Sequence, residues 1–350
     1  MFILENVPLS GYSTMRLGGP ARFLADITDK FDIPKALNWA NAHKVPVVMI
    51  GGGSNVIWLD EGFSGLVLVN KIMGYQSSSY DENNEYITVG AGENWDSVVE
   101  RSVAAGWSGL ELLSLIPGTA GATPIQNVGA YGAEIAKSLI TLEAYDLTEK
   151  KFVTLRASEC DFSYRKSRFN TTDRGRFFIT SVTLRLTKDI PQPPFYASLQ
   201  AYFDQNNIHT YTAEAIRKGV IAVRQSKLPD PAVIANNGSF FANPTVTTAQ
   251  FEAISKNHPK LADWPTKWFW QTSDDTYKLA VGALLEYLGL KGIEDATTGM
   301  ATWPAQAMVL INQHATTTKQ LLSFRDAIQG KVHDAFSITL QQEPELMPTQ

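Results

Sequence analysis

The sequence predicts an α+β protein, and three observations carry that prediction. Residues 23–70 open with strand, helix and further strands. Three glycine-rich loops, at 51–55, 90–94 and 118–132, follow or flank apolar strands. A mixed region of helices and strands begins beyond the proline-rich 191–194 and the turn at 227–231.

The elements follow from local pattern. Phe23–Ile27 reads as a strand, and Asp32 can cap a helix to about His43 with Pro34 in its first turn. The apolar runs Val45–Ile50 and Gly65–Asn70 read as buried strands, so the opening unit resembles β-α-β. A polar turn is expected at 77–84. The strand Tyr86–Val89 then leads through a glycine loop to Asn94, a cap for the helix Trp95–Ala105. Ile140–Asp146 and Lys151–Leu155 read as a hairpin, and Arg176–Leu186 as a long strand. Ala213, Ile216, Val220 and Val223 share one face of a helix over 212–224. Thr247 with Gln250, and Thr317 with Gln320, are spaced as capping boxes. The second of these helices is expected to close at Gly330. Tyr277–Leu288 reads as an apolar helix, with Gln306–Asn312 and Phe336–Leu340 as strands.

Composition narrows the function. The 350 residues suggest two or three domains, and the net charge of −5 without a basic block argues against a nucleic-acid surface. Cys160 is the only cysteine, so an intramolecular disulfide and cysteine-ligated zinc are excluded. None of the five histidines has metal-site spacing, and no metal is expected. The N-terminal stretch lacks a basic lead and a long apolar run. The expectation is a cytoplasmic protein without a signal peptide or membrane span.

The chain is organised around residues 116–135, IPGTAGATPIQNVGAYGAEI, with glycines at 118, 121, 129 and 132 and no charge before Glu134. It is too irregular for one helix and too rich in glycine for one strand. It reads as a buried loop around a phosphate-bearing cofactor, the alternative being a turn-rich connection. No loop matches GxGxxG between strand and helix, or GxxxxGK[ST], so a Rossmann site and a P-loop are set aside. Three such loops together suit a large ligand such as a dinucleotide. Two polar clusters remain, Tyr164–Arg168 and Asn236–Pro244. On spacing alone the first is a solvated charge run and the second a capped turn. An arginine in the first could also fork to a carboxylate or phosphate, and the second could hold a serine over an apolar floor.

Read together, GGGSN (51–55), GAGENW (90–95), IPGTAGATPIQNVGAYGAE (116–134), DFSYRKS (161–167), KLPDP (227–231), NGSFFANP (237–244) and EPE (343–345) resemble the UDP-N-acetylenolpyruvoylglucosamine reductase family, MurB. The likeness spans nearly the whole chain. It implies an FAD-binding fold of the vanillyl-alcohol-oxidase type followed by a smaller α+β substrate-binding domain. The implied parts are 1–70 with 331–350 and 71–227 for FAD, and 228–330 for substrate. The implied reaction is reduction of UDP-N-acetylglucosamine enolpyruvate to UDP-N-acetylmuramate, with FAD non-covalent and NADPH as hydride donor, in a monomer.

The resemblance also implies roles for residues of this chain. Gly51, Gly52, Gly53, Ser54, Asn55, Gly118, Thr119, Gly121, Ala122, Gln126, Asn127, Gly129, Ala130 and Tyr131 would enclose FAD. Arg165 would polarise the substrate carboxylate, Ser239 would donate the proton, and Glu345 would work with the arginine on the enolic intermediate. Tyr196, Lys227, Asn243 and Gln306 would contact the substrate, Tyr196 in an extra segment marking the tyrosine-loop subtype. Two departures stand out. Ala283 replaces a frequent tryptophan, and the sequence stops five residues after Glu345. The rivals are an alcohol-oxidising flavoenzyme of the same cofactor fold and a non-catalytic nucleotide-binding protein. The KLPDP and GSFFANP segments speak against the oxidase, and the trio Arg165, Ser239 and Glu345 against the binding protein.

Overall fold

A computed structural model describes residues 1–348. The chain divides into two units, one of residues 1–7, 21–53 and 63–226, the other of 8–20, 54–62 and 227–350.

In the first unit, strands Pro20–Ile27, Phe63–Asn70 and Val47–Ile50 lie parallel in that spatial order, with Leu4–Pro8 on the outer edge. Helix α1, Asp32–Ala42, makes the crossover that parallel strands require. Asp32 lies inside the first turn and pairs with Lys35. The residue ahead of the helix is Phe31, and no side-chain cap forms there among the described residues, so Asp32 does not cap the helix. A second, antiparallel sheet is ordered Lys151–Arg156, Leu139–Asp146, Phe177–Thr187, Asn84–Gly90, Tyr75–Ser79. The expected polar turn thus begins inside a strand, since Tyr75 to Ser79 pair with Val89 to Glu85. Helix α2, Trp95–Ala104, covers this sheet. Asn94 caps it by accepting from the Ser97 N–H at 3.0 Å, as expected. Helices α3, Ala197–Gln205, and α4, Ala213–Lys227, pack through Leu199, Phe203, Ile216 and Val220. Sequence reading did not find α3.

In the second unit, strands Ala235–Ser239, Gln306–Asn312, Met300–Trp303 and Glu294–Asp295 form an antiparallel sheet. Phe240 and Phe241 follow the first strand and are fully buried, each contributing about 1.5–3 kcal/mol. Both capping boxes form, on α5, Thr248–Asn257, and on α7, Thr318–Phe336. Gly330 does not close α7. Val332 and Phe336 beyond it face the core, and their burial outweighs the roughly 1 kcal/mol that glycine costs a helix. The helix ends instead at Ser337, with φ +56°, so Phe336–Leu340 is not a strand. Tyr277–Leu288 is not one helix. Thr276–Leu279 is the middle strand of a three-stranded sheet, and α6 is only Val281–Tyr287. Ala283, the departure from the family pattern, lies buried in the core. The tail strand Glu345–Met347 runs parallel to Val56–Trp58.

Candidate active site

In the first unit the glycine loops pack backbone on backbone. A Cβ at Gly52 would lie 3.2 Å from Gly118 Cα, and one at Gly92 2.6 Å from the Lys71 backbone. A Cβ at Gly51 would fall on Thr119 Oγ1, and one at Gly121 on Ala91. At Gly92 and Gly121, where the neighbour is backbone, a side chain would force the loops apart. Thr119 is braced by a bridge to Asn94, yet its Oγ1 is buried and has no hydrogen-bond partner among the described residues. A buried hydroxyl left unpaired costs about 1–3 kcal/mol, so such a cradle suits a ligand bearing polar oxygens. These residues therefore fit FAD and its pyrophosphate. Gly53 takes φ +69° as the chain leaves this unit, and Ala122 ends the short helical turn after Thr119.

Further along the same stretch, Gly129–Ala130 pairs with Ala133–Glu134 in a two-stranded ribbon. Gly129 is not at positive φ. That conformation falls on Asn127, Tyr131 and Gly132. Gln126 is half-buried, while Asn127 is fully buried with its amide committed internally. Its Nδ2 donates to Glu134 and to the Ser163 carbonyl, both at 3.0 Å, and its Oδ1 accepts from Ala136. Asn127 thereby fastens the DFSYRKS segment to the glycine stretch.

Arg165 sits in that segment at φ +57°, half-buried. Its Nη2 donates to the Gly129 carbonyl at 2.9 Å, and its guanidinium lies 4.9 Å from the Tyr164 ring centre. Tyr131 meets Tyr196 edge-on at 5.8 Å. Burial pushes the Tyr131 hydroxyl above its ordinary pKa, against the pull of nearby Arg224. Tyr196 is half-exposed just ahead of α3. Lys227, at the end of α4, is exposed.

Sequence reading missed Arg224. Its Nε is buried without a partner among the described residues, and burial depresses its pKa despite Tyr131 and Asp96 nearby. A cation so placed calls for an anion. The signal was available: position 224 lies one helical turn past Val220, on the apolar face.

In the second unit, Ser239 ends its strand opposite Val309, after Gly238 at φ +70°. Its hydroxyl is half-buried and makes no hydrogen bond among the described residues. The tail runs beside it. The Phe240 carbonyl accepts from Glu343 at 2.9 Å, and Glu345 N–H donates to the Asn55 carbonyl at 2.8 Å. Ser54 accepts at its carbonyl from Asn237 Nδ2 at 2.9 Å. Ser54, Asn55, the Ser239 segment and Glu345 are thus joined within this unit. Asn237 Oδ1, also missed, is buried without a partner among the described residues. Asn243 and Gln306 converge on the first turn of α6. Asn243 Oδ1 accepts from the Val281 N–H at 3.0 Å, and Gln306 Oε1 lies 2.8 Å from where a Gly282 Cβ would stand. Among the described residues there is no cluster able to hold a metal and no helix long and apolar enough to cross a membrane.

Glycine loops packed around a buried hydroxyl with no partner among the described residues suit a cofactor bearing polar oxygens. Residues 21–151 match the FAD binding domain, which makes the chain a flavin-binding protein. Residues 230–347 match the C-terminal domain of UDP-N-acetylenolpyruvoylglucosamine reductase. The reductases of that name from Ralstonia nicotianae and Dechloromonas aromatica are each 39% identical to this chain. The matches cover 96% and 97% of this chain, and 97% and 98% of theirs. The solved reductase of Thermus caldophilus superposes with a TM-score of 0.66 at 22% identity, over 99% of this chain and 100% of that one. The chain belongs to the UDP-N-acetylenolpyruvoylglucosamine reductase family. It is an FAD-dependent oxidoreductase with that family's reductase activity in peptidoglycan precursor synthesis.

Proposed function

We propose that this chain reduces the enolpyruvyl ether of UDP-N-acetylglucosamine to UDP-N-acetylmuramate, with Arg165, Ser239 and Glu345 as its catalytic residues. FAD, when bound, supplies hydride chemistry between NADPH and that substrate. Arg165 polarises the substrate carboxylate. As charge builds on the carbon bearing it, Arg165 and Glu345 stabilise the enolate-like species, a case of fixed groups aimed at developing charge. Ser239 Oγ delivers the proton to that carbon. A serine hydroxyl is a poor acid in water and serves only a strongly basic acceptor within hydrogen-bond reach. The observation that carries this reading is the Ser239 hydroxyl, which makes no hydrogen bond among the described residues and lies in the segment that pairs with the tail bearing Glu345.

The glycine loops, with Gln126, Ala130 and Tyr131, enclose FAD in this reading, and Arg224 supplies a cation to an anionic ligand. Tyr196, Lys227, Asn243 and Gln306 serve the UDP-sugar. The Tyr131–Tyr196 contact supports the tyrosine-loop subtype. The three-part division into 1–70 with 331–350, 71–227 and 228–330 is proposed to mark two FAD subdomains and one substrate domain. The boundary at 70 falls between the two sheets of the first unit, and the tail strand Glu345–Met347 pairs with Val56–Trp58, a piece of the opening residues that itself belongs to the second unit. A monomer is proposed, and a cytoplasmic location because the nucleotide substrates are cytoplasmic metabolites. FAD is held non-covalently, since neither histidine nor cysteine lies in the glycine loops.

The test is direct. The purified protein should be yellow, NADPH should bleach it, and the enolpyruvyl nucleotide should restore the colour. Colour pelleting with acid-precipitated protein would disprove non-covalent binding. A bleached protein that the nucleotide cannot reoxidise would disprove the substrate.

A further inference from the structure

The glycine-rich stretch is entered through a strained residue. Leu115 has φ +59°, a conformation that a leucine rarely adopts. Its N–H donates to Asp96 Oδ1, on the first turn of α2. The preceding residue of that helix, Trp95, donates its N–H to the Gly118 carbonyl at 3.1 Å. The first turn of α2 therefore grips both ends of the Leu115–Gly118 turn, directly ahead of Thr119.

Asp96 is itself gripped from elsewhere. Arg217 on α4 meets it in a fork, Nη1 to Oδ1 at 2.6 Å and Nη2 to Oδ2 at 3.0 Å. The Arg217 side chain is only 10% exposed. A buried ion pair is weak evidence for stability, since apolar replacements are often neutral or better. What apolar contact cannot do is accept the N–H of a left-handed residue while being held in one orientation by a planar guanidinium. The pair supplies geometry. Helix α4 also carries Arg224, seven residues and two turns on along the same face.

We infer that Asp96 is a positioning residue for FAD binding. With Arg217 it fastens α4 to the Leu115 turn and sets the glycine cradle that follows. Neither residue lies in a glycine loop, and neither is among the residues given a ligand-binding role above. The inference rests on the FAD reading of the cradle and is independent of the proposed sugar-nucleotide substrate.

The experiment uses holoenzyme of Asp96→Ala, Asp96→Asn, Arg217→Met and Arg217→Lys. FAD dissociation is read from the recovery of free-flavin fluorescence on dilution, with no substrate present, and the visible flavin band and melting temperature are recorded alongside. Asp96→Ala should weaken FAD binding by at least about tenfold, the scale of a lost charged hydrogen bond. Asp96→Asn keeps an acceptor for Leu115 and should fall between that variant and the parent. Arg217→Met should weaken binding too, and Arg217→Lys should recover part of the loss. A lower melting temperature with FAD dissociation within about twofold of the parent would make the pair merely structural and overturn the inference. If Asp96→Ala does not fold, Arg217→Met decides, and unchanged FAD dissociation in it has the same consequence. Normal FAD binding in a parent protein inactive on the enolpyruvyl nucleotide would overturn the proposed substrate and leave Asp96 to be judged separately.

Discussion

Arg165 Nη2 donates a hydrogen bond to the carbonyl of Gly129 at 2.9 Å. The arginine proposed to hold the substrate carboxylate is therefore oriented by the loop proposed to enclose the cofactor. Asn127 reinforces the link from the other side through the Ser163 carbonyl. Binding of flavin and placement of the guanidinium should respond together to changes in this loop.

Gly129→Val tests that coupling. A Cβ there would stand 2.7 Å from the Ala133 carbonyl and 3.3 Å from Arg165 Nη1. The first neighbour is backbone and cannot yield cheaply. Positive φ is not the reason, because Gly129 does not adopt it. The expected outcome is a protein with little bound flavin and no reductase activity, read from the ratio of flavin to protein absorbance. A folded, normally yellow and active variant would show that this loop touches neither function.

Ser239→Ala separates a turn residue from a proton donor. A turn residue would cost about 1 kcal/mol, the scale of one hydrogen bond, with both half-reactions intact. A proton donor would leave bleaching by NADPH near normal. Return of colour with the enolpyruvyl substrate would slow by about 10²–10⁴-fold, the usual range for a lost general acid. Ser239→Cys should recover part of that loss. Stopped-flow absorbance decides, and equal slowing of both halves removes Ser239 from the proposed mechanism.

Tyr196→Phe and Lys227→Ala should raise KM for the sugar nucleotide while sparing flavin reduction. Both side chains reach solvent, so neither is spent on the core. An ammonium suits a diphosphate as a point charge. Steady-state kinetics with an unchanged KM in both variants would withdraw them from the substrate site.

Asp96 also makes a pH prediction. Burial works to raise its carboxyl, but Arg217 and the Leu115 N–H outweigh it and hold the pKa below the ordinary 3.8. A depressed carboxylate stabilises the fold fully above its unfolded pKa, and that contribution is lost as the pH falls through the folded value. The stability gap between the parent and Asp96→Asn should hold steady from neutral pH to just above 4 and close below about 3.8. Urea denaturation across that range measures it. A gap that persists unchanged to pH 3 would mean that the charge of Asp96 contributes nothing.

Much of the local architecture was legible in the sequence because its causes are local. The caps at Asn94, Thr247 and Thr317 need only a side-chain oxygen and an N–H two or three residues away. The apolar run within Phe63–Asn70 is a buried strand in any fold that covers both faces, whereas Val47–Ile50 forms the expected strand but is only half-buried ahead of Ile50. The glycine loops and the motifs shared with the reductase family were likewise visible by eye.

Other features depend on partners far along the chain. Whether α7 stops at Gly330 turns on what Val332 and Phe336 can bury, not on glycine's own preference. The strand Glu345–Met347 exists because Val56–Trp58 offers it an edge. Arg224 stands out because its Nε is buried without a partner among the described residues, and Asp96 because Arg217, 121 positions later, returns to it. The sequence by itself determined the capped starts of α2, α5 and α7, the central strands and the family. Tertiary structure alone decided which polar atoms are buried, which of them find partners, and which are left for a ligand, because burial is a property of the whole packed chain.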